Sequence, residues 1–196
     1  MKKRTSKIIR KTGETNISLS LNIDGTGKSS VTTGIPFFDH MLKLFAKHGL
    51  FDLDVKAKGD IEVDYHHTVE DIGICLGQAF KQALGDKKGI NRYSEAKVPM
   101  DESLTEVIID VSGRPHLTYK AKFEKTKFID FDLEVVREFF EAIVMNAGVT
   151  IHINVLRGRN IHHKIESIFK AFAVALSKAC ELSPRKKGVP STKGVL

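Results

Sequence analysis

Two stretches of the sequence decide the fold: HHTVEDIGICLGQAF at 66–80 and HHKIESIFKAFAVAL at 162–176. Each begins with two histidines and reaches a glutamate three positions after the second one. Apolar residues then follow three or four positions apart, which is typical of an amphipathic helix. The offset between the two copies is 96 residues, and alanines further along both helices keep the same offset. The sequence therefore predicts an internal duplication.

The elements that precede each of these helices repeat in the same order. The first half is predicted to contain a strand at 15–24, a hairpin return strand at 28–33, a helix at 37–48, a strand at 50–58 and a helix at 67–84. The second half is predicted to contain strands at 104–111 and 116–123, a helix at 133–146, a strand at 149–156 and a helix at 163–182. Neither sheet alone could hide both faces, so the halves should share one core. We expect an α+β fold of duplicated ββαβα half-domains, with two sheets and helices packed against them.

The domain organisation follows from this repeat. The first half with its join is assigned to 1–98, the second half to 99–183 and a C-terminal tail to 184–196, with the whole treated as a single domain. The join, GINRYSEAKVPMDE at 89–102, is too poor in glycine and serine for a flexible linker. The proline- and glycine-containing end of the chain cannot be helical, and its composition alone predicts a tail.

The composition narrows the class of protein. The chain has 196 residues, 41% hydrophobic and 28% charged, which is typical of a globular protein. No apolar run approaches the roughly 20 residues of a membrane helix, and no secretory signal is apparent. Cys75 and Cys180 form no disulfide framework, so we expect a cytoplasmic protein. The net charge of +7 fits either a phosphorylated partner or a solvated lysine surface, and the basic N-terminus is typical of a mobile tail.

The duplicated His-His-x-x-Glu motif predicts metal binding. His66 and Glu70, four residues apart on a helix, share one face and could approach one metal ion. His67 diverges from His66 by about 100° and would serve a second ion. The second copy supplies the equivalent residues His162, His163 and Glu166. Imidazole and carboxylate ligands without thiolate suit Mn, Fe or Zn, and more than four ligands favour octahedral Mn or Fe.

Other histidines and one glutamate are weaker candidates. His40 and Glu138 begin the shorter helices of their halves, and each could supply one more ligand. Glu138 has the alternative interpretation of a solvated helix carboxylate. His48 ends a helix, where its charge would favour the negative end of the dipole. His116 and His152 lie on predicted strands, where we favour a structural role.

Several segments with these residues resemble the imidazoleglycerol-phosphate dehydratase family. The resemblance extends from about residue 10 to residue 196. It is carried by RKTGET at 10–15, FDHMLKLFAKHG at 38–49, DYHHTVEDIGICLGQA at 64–79, GRPHL at 113–117, GRNIHHKIESIFKAFAVAL at 158–176 and PSTKGVL at 190–196. It implies half-domains like domain 2 of ribosomal protein S5. The implied reaction converts imidazoleglycerol phosphate to imidazoleacetol phosphate in histidine biosynthesis.

The resemblance also implies two Mn(II) ions per active site, with ligands shared between subunits. In the family, trimers assemble into a particle of twenty-four subunits. The substrate is a small phosphorylated imidazole, with no nucleic-acid or membrane partner. The metal ligands carried over are His40, His66, His67, Glu70, His162, His163 and Glu166, and Glu138 is kept as a further ligand because glutamate can also bind Mn through oxygen. Glu138 stands where the family often has histidine, and His152 is the substitute ligand.

The resemblance further assigns the groups that bind and convert the substrate. Glu14 corresponds to the acidic residue at the reacting carbons and would move protons while two ions hold the ring as imidazolate. Arg92, Arg114, Ser191 and Lys193 correspond to phosphate contacts, which makes the tail a flap that orders on ligand binding. The helix from His40 to His48 would line the same pocket. It carries Leu44 where a glutamine is frequent, so one contact is lost.

Three other functions compete with this one. A dinuclear metal hydrolase would use the same ligands and would release inorganic phosphate. A nucleic-acid-binding module would use the positive charge, would show steeply salt-dependent binding and would have no use for the duplicated motif. An inert shell protein would assemble with Mn and convert nothing.

Overall fold

The computed structural model describes residues 3–124 and 126–196, which form four helices and two four-stranded sheets. The first half comprises β1 (Thr5–Lys11), β2 (Thr15–Asn22), β3 (Ser29–Thr32), α1 (Pro36–Gly49), β4 (Asp52–Gly59) and α2 (His66–Leu84). The second half comprises β5 (Tyr93–Met100), β6 (Ser103–Asp110), β7 (His116–Lys120), the short β8 (Lys127–Phe128) and β9 (Phe131–Asp132), α3 (Glu134–Ala147), β10 (Thr150–Arg157) and α4 (Ile161–Cys180). The α+β class and the duplication are confirmed, and each half has one more leading strand than the sequence pattern predicts.

The strand order is the same in the two sheets, β1-β2-β4-β3 and β5-β6-β10-β7. The predicted hairpin between 15–24 and 28–33 is therefore wrong, because β4 lies between β2 and β3. One reason is Asp52, which begins β4 and accepts backbone N–H groups from Thr26 at 2.8 Å and Lys28 at 3.1 Å. A second reason is that α1 joins β3 to β4 as a crossover, and such a connection gives a parallel pair.

The four helices lie between the two sheets. α2 packs on β1, β2 and β4, whereas α4 packs on β5, β6 and β10, and the layers meet where α2 contacts α3 and α1 contacts α4. Phenylalanines from both halves join there: the ring of Phe139 lies 5.1 Å from Phe38 and 5.5 Å from Phe169. The shared core that the sequence predicts is confirmed. None of the described helices has the length and apolar content needed to span a membrane.

The two additional strands come from segments with a weak hydrophobic pattern. The basic N-terminal segment, predicted as a mobile tail, forms β1 and pairs with β2 over seven residues. Only Ile8 of β1 is buried in the core, and Ile9 points outward. The strand is therefore held mainly by its backbone hydrogen bonds to β2 rather than by apolar burial. The join forms β5, which agrees with its exclusion as a flexible linker. The end of the chain contains no helix, as predicted, and Leu182 bridges to Ile90.

Glycines allow α2 to approach α3 closely. A Cβ atom added at Gly73 would lie 2.7 Å from the carbonyl oxygen of Phe139 and 2.9 Å from the Cβ of Ala142. Gly77, one turn later, would place a Cβ 2.7 Å from the carbonyl oxygen of Ile143. These obstacles are mostly backbone, which cannot rotate away. The Gly-x-x-x-Gly spacing therefore sets how near the two halves lie.

We expect Gly73→Ala to destabilise the protein. Overpacking a tight contact costs about 1–3 kcal/mol, which outweighs the gain of up to about 1 kcal/mol in helix propensity. The midpoint of thermal unfolding should fall by several degrees at about 2–4 °C per kcal/mol. Gly13→Ala is the control, since a Cβ there meets nothing within 4 Å. An unchanged midpoint for Gly73→Ala would show that α2 and α3 separate at little cost.

Candidate active site

The strongest candidate metal group brings the two halves of the chain together. His40 comes from α1, and His162 and Glu166 lie one turn apart at the start of α4. The Nε2 atoms of His162 and His40 lie 3.0 and 3.4 Å from Glu166 Oε2. One ligand atom from each of the three residues lies within 4.8 Å of the others. This spacing suits ligands that converge on one divalent cation.

Glu166 is the buried anion of this group. Its residue is 6% exposed, and Lys170, one turn later on α4, places Nζ 2.5 Å from Oε1. Burial alone would raise the pKa of Glu166, but hydrogen bonds from Lys170 and His162 outweigh it, so the pKa lies below its usual value. The side chain is thus held as a carboxylate. Lys170 was not predicted, although its spacing from Glu166 was a usable signal.

Aromatic rings fix the orientation of His162. The ring of Phe37 on α1 lies 5.4 Å from the imidazole, and that of Phe128 on β8 lies 5.8 Å away, both steeply inclined to it. The N-terminus of α4 is fixed by Asn160, whose side-chain oxygen accepts the backbone N–H of His163. The ligand atoms therefore sit on a helix start that has few alternative positions.

The first motif shows the same helical geometry. His66 Nε2 lies 3.6 Å from Glu70 Oε2, as their four-residue spacing predicts. The rings of His66 and His67 are inclined at 87°, and those of His162 and His163 at 84°. Adjacent histidines thus point in different directions in both halves, and the prediction that each motif serves two ions stays a prediction.

His67 lies between two carboxylates. Its Nδ1 is 3.0 Å from Asp60 Oδ2, and its Nε2 is 3.7 Å from Glu14 Oε1 in the turn between β1 and β2. The hydrogen bond to Asp60 raises the pKa of His67. An Nδ1–H bonded to a carboxylate leaves Nε2 as the atom that faces Glu14 and any ligand there. Asp60 was not predicted, because only the folded loop brings it to the helix.

His163 has an equivalent environment in the second half. Its Nδ1 is 2.7 Å from Glu102 Oε2, and its Nε2 is 3.7 Å from Asp101 Oδ2 in the turn between β5 and β6. The other oxygen of Glu102 accepts the backbone N–H groups of Asn160 at 2.8 Å and Arg159 at 3.1 Å. The hydrogen bond from His163, with these two, lowers the pKa of Glu102 far below its usual value. These turn residues were also not predicted.

Within residues 3–124 and 126–196, the predicted ligands of one chain do not all lie close enough together to bind the same ion. The group of His40, His162 and Glu166 is the one that meets a common-ion spacing there. Glu138, on α3, lies outside this group and has Arg137 3.7 Å away. His152 stacks near His116, with ring centres 5.8 Å apart on β10 and β7. Their roles as ligands stay predictions.

The predicted phosphate contact Arg92 joins the second sheet to the tail. Its guanidinium Nε and Nη2 lie 2.8 and 3.3 Å from the two carboxylate oxygens of Asp110. Its Nη1 donates to the backbone oxygen of Pro190 at 2.8 Å, directly before Ser191. The hydrogen bond to Asp110 raises the pKa of Arg92, so the group is a permanent cation.

The tail runs from Arg92 towards Arg114. Lys193 donates its backbone N–H to Ser191 Oγ at 3.2 Å, which keeps these two predicted contacts in one turn. A Cβ added at Gly113 would lie 2.7 Å from the carbonyl carbon of Leu196, so the tail also reaches the residue before Arg114. The Arg114 side chain is exposed. The tail therefore contacts Arg92 at one end and the residue before Arg114 at the other, and the roles of these four residues as phosphate contacts stay predictions.

His48 ends α1 near Lys170. Burial and the charge of Lys170 lower its pKa, so the imidazole is neutral at neutral pH. A neutral imidazole can donate one hydrogen bond and accept another, and the role of His48 in the substrate pocket stays a prediction. Leu44, one turn earlier, is partly buried against the core and offers no polar contact there.

Comparison with known proteins places this geometry in a family. Residues 33–176 match the family model described as imidazoleglycerol-phosphate dehydratase. Relatives of that name from Geobacter metallireducens and Acetivibrio thermocellus are 58% and 59% identical over 193 residues, which cover 98% of this chain and 99% of each relative.

Two solved structures of this name share the fold. The crystal structure from Staphylococcus aureus is 42% identical with a TM-score of 0.83, and covers 91% of this chain and 99% of its own. The structure from Pyrococcus furiosus, in complex with (S)-C348, is 35% identical with a TM-score of 0.84, and covers 96% and 100%. The chain therefore belongs to the imidazoleglycerol-phosphate dehydratase family, the hydro-lyases of histidine biosynthesis.

Proposed function

We propose that this chain converts imidazoleglycerol phosphate to imidazoleacetol phosphate and water, with two Mn(II) ions in each active site. The observation that carries the proposal is the meeting of His40, His162 and Glu166 across the two halves of the duplication. A second, equivalent motif stands on α2. This arrangement, in a chain that matches dehydratases over almost its whole length, supports a metal-dependent dehydration.

The residues present suit a divalent metal. Imidazole nitrogens and carboxylate oxygens surround the candidate group, and both cysteines are buried and free, which suits Mn or Fe. Asp60 and Glu102 each hold the Nδ1 of a motif histidine, which leaves Nε2 available as a ligand atom. The ligands would be His40, His66, His67, Glu70, Glu138, His162, His163 and Glu166. When bound, the two ions would act as Lewis acids on the imidazole ring of the substrate.

Glu14 is the proposed acid and base. Its carboxylate is half-exposed at the tip of the turn between β1 and β2, beside His67. A group in this place can reach a substrate ring held at the motif histidines and still exchange protons with water. We propose that Glu14 takes the proton from the substrate C–H and assists departure of the hydroxyl group.

The phosphate would bind at the other end of the site. Arg92, Arg114 and Lys193 provide positive charge and Ser191 provides a hydroxyl, and arginine can bind phosphate through two parallel hydrogen bonds. His48 would line the pocket between phosphate and ring. The tail at 184–196 would close over the bound phosphate as a flap, because two of these contacts lie on it.

The active site is proposed to form between copies of the chain. His66, His67 and His163 do not share the common-ion spacing of the three-residue group, so ligands from neighbouring subunits would complete each ion's shell. We propose a homo-oligomer of twenty-four subunits built from trimers. The two free cysteines suit the reducing cytoplasm.

The deciding experiment removes metal from the protein with a chelator and adds imidazoleglycerol phosphate. We expect imidazoleacetol phosphate to form only after Mn(II) is restored. Absence of product with Mn(II) present would refute the dehydratase proposal. Inorganic phosphate released in the same samples would identify a hydrolase, and metal-dependent assembly without any product would identify an inert shell.

Arg114→Ala should raise KM by about 10- to 100-fold with a smaller change in kcat, because a charge-assisted contact is worth about 1.5–3 kcal/mol. Bound Mn(II) per chain should not change. Lys97→Ala is the control, since Lys97 on β5 is paired with Glu106 on β6 and is not among the proposed phosphate contacts. Lost metal with an unchanged KM would instead give Arg114 a structural role.

A further inference from the structure

A buried ionic cluster lies beneath the turn that carries Glu14. Asp71 on α2 is 7% exposed. Its Oδ2 accepts a hydrogen bond from Thr15 Oγ1 at 2.5 Å, and Arg10 Nε lies 2.9 Å from its Oδ1. Arg10 and Thr15 flank the turn, near the end of β1 and at the start of β2. One carboxylate therefore holds both strands at the point where the chain reverses.

The same helix holds the tip of the turn. His67 lies one helical turn before Asp71, and its Nε2 is 3.7 Å from Glu14 Oε1. Inside the turn, Thr12 Oγ1 accepts the backbone N–H groups of Glu14 at 3.1 Å and Thr15 at 2.9 Å. The base of the turn therefore contacts Asp71 and its tip lies beside His67, which are on one face of α2. A shift at Asp71 would be transmitted to Glu14 through a short, hydrogen-bonded turn.

The second half has no charge at the equivalent place. Ser167 follows Asp71 by 96 residues, the same offset that relates the histidine motifs. Thr105 on β6 contacts Ser167, with the two hydroxyl oxygens 2.6 Å apart, and both residues are fully buried. A neutral hydroxyl pair therefore joins α4 to β6 there, with no charge at the helix position that corresponds to Asp71. A buried carboxylate carries a desolvation cost that packing alone does not require.

We propose that Asp71 is a positioning residue for the reaction, acting through Thr15 to hold the Glu14 turn at the distance from His67 that proton transfer needs. The inference rests on the proposed function of Glu14. The charge of Asp71 has no counterpart in the second half, where Ser167 takes its place. Asp71 contacts Arg10 on β1 and Thr15 on β2, the two strands that the Glu14 turn connects. A misplacement of about 1 Å at a reacting group can cost about a hundredfold in rate.

The test compares two matched variants. Thr15→Val removes the hydroxyl that donates to Asp71, and Thr105→Val removes the buried hydroxyl that contacts Ser167 in the second half. Both lose one buried hydrogen bond, but the one lost in Thr15→Val ends on a carboxylate, so its unfolding midpoint should fall at least as far as that of Thr105→Val. Thr15→Val should lower kcat about 10- to 100-fold with KM within about threefold and Mn(II) per chain unchanged. Thr105→Val should keep kcat within about twofold, and Thr15→Ser, which keeps the hydroxyl, should restore activity.

The outcomes separate this inference from the proposed function. A wild-type enzyme that does not dehydrate the substrate refutes the proposed function and, with it, the role of Asp71. An active wild type with a normal kcat for Thr15→Val, or with equal losses in Thr15→Val and Thr105→Val, refutes the positioning role alone. If Thr15→Val does not fold, Asp71→Asn tests the charge of the cluster instead, because it keeps the size and an acceptor oxygen. The proposal expects its kcat to fall with Mn(II) per chain unchanged, and a wild-type kcat would refute the positioning role.

Discussion

Glu14→Gln is expected to lower kcat by about a thousandfold while the protein keeps its metal and its assembly. The amide has the size of the carboxylate but cannot accept a proton from carbon, and general acid–base catalysis contributes about 10²- to 10⁴-fold. Glu14 is half-exposed on a turn, so its replacement removes no core contact. Turnover would be followed by formation of imidazoleacetol phosphate, and bound Mn(II) by titration.

Glu62→Gln is the matched control for this prediction. Glu62 is an exposed carboxylate close to the same surface depression as Glu14, so it tests whether loss of negative charge alone slows the reaction. We expect its kcat to stay near that of the wild type. Normal turnover of Glu14→Gln would exclude Glu14 as the acid and base. A parallel loss in both variants would indicate a general electrostatic effect.

The sequence was most informative where apolar spacing and repetition coincide. The four helices were predicted within about two residues of their ends, because each has an amphipathic stripe and a Pro, Gly or Asn near a terminus. β1 and β5 were missed because each buries only one residue fully, Ile8 or Ala96. Edge strands are held by backbone hydrogen bonds to a neighbouring strand. Every residue can make such bonds, so the amino-acid pattern of an edge strand says little about whether it forms.

Local sequence patterns could not predict the order of the strands in the sheets or the residues that surround the motif histidines. A turn of Gly-Thr-Gly predicts a reversal, but Asp52, from the following strand, decides which neighbour the reversed chain pairs with. Asp60 and Glu102 reach the motif histidines from loops. Only the repeat made the histidine motifs stand out, and the exposed carboxylates around them lack any comparable periodicity.

Glu166→Gln is expected to remove metal from the group that joins the halves. The carboxylate is the one buried anion among His40, His162 and Lys170, and it accepts contacts from all three. A neutral amide is a poorer ligand for Mn(II) and leaves Lys170 as an uncompensated positive charge beside the ion. Changes in groups that only support ligands cost about 10- to 100-fold in metal affinity, so loss of a ligand should cost at least roughly 100-fold.

The measurement is a Mn(II) titration of metal-free protein, monitored by the electron paramagnetic resonance signal of free Mn(II). Wild type should bind two ions per site tightly, whereas Glu166→Gln should keep one class of tight site and lose the other, with kcat lowered by about a thousandfold at low Mn(II). Glu141→Gln is the control, because Glu141 is a partly exposed helix carboxylate paired with Arg137. Retention of both tight sites in Glu166→Gln would show that the convergence of His40, His162 and Glu166 is a hydrogen-bonded contact between helices rather than a metal site.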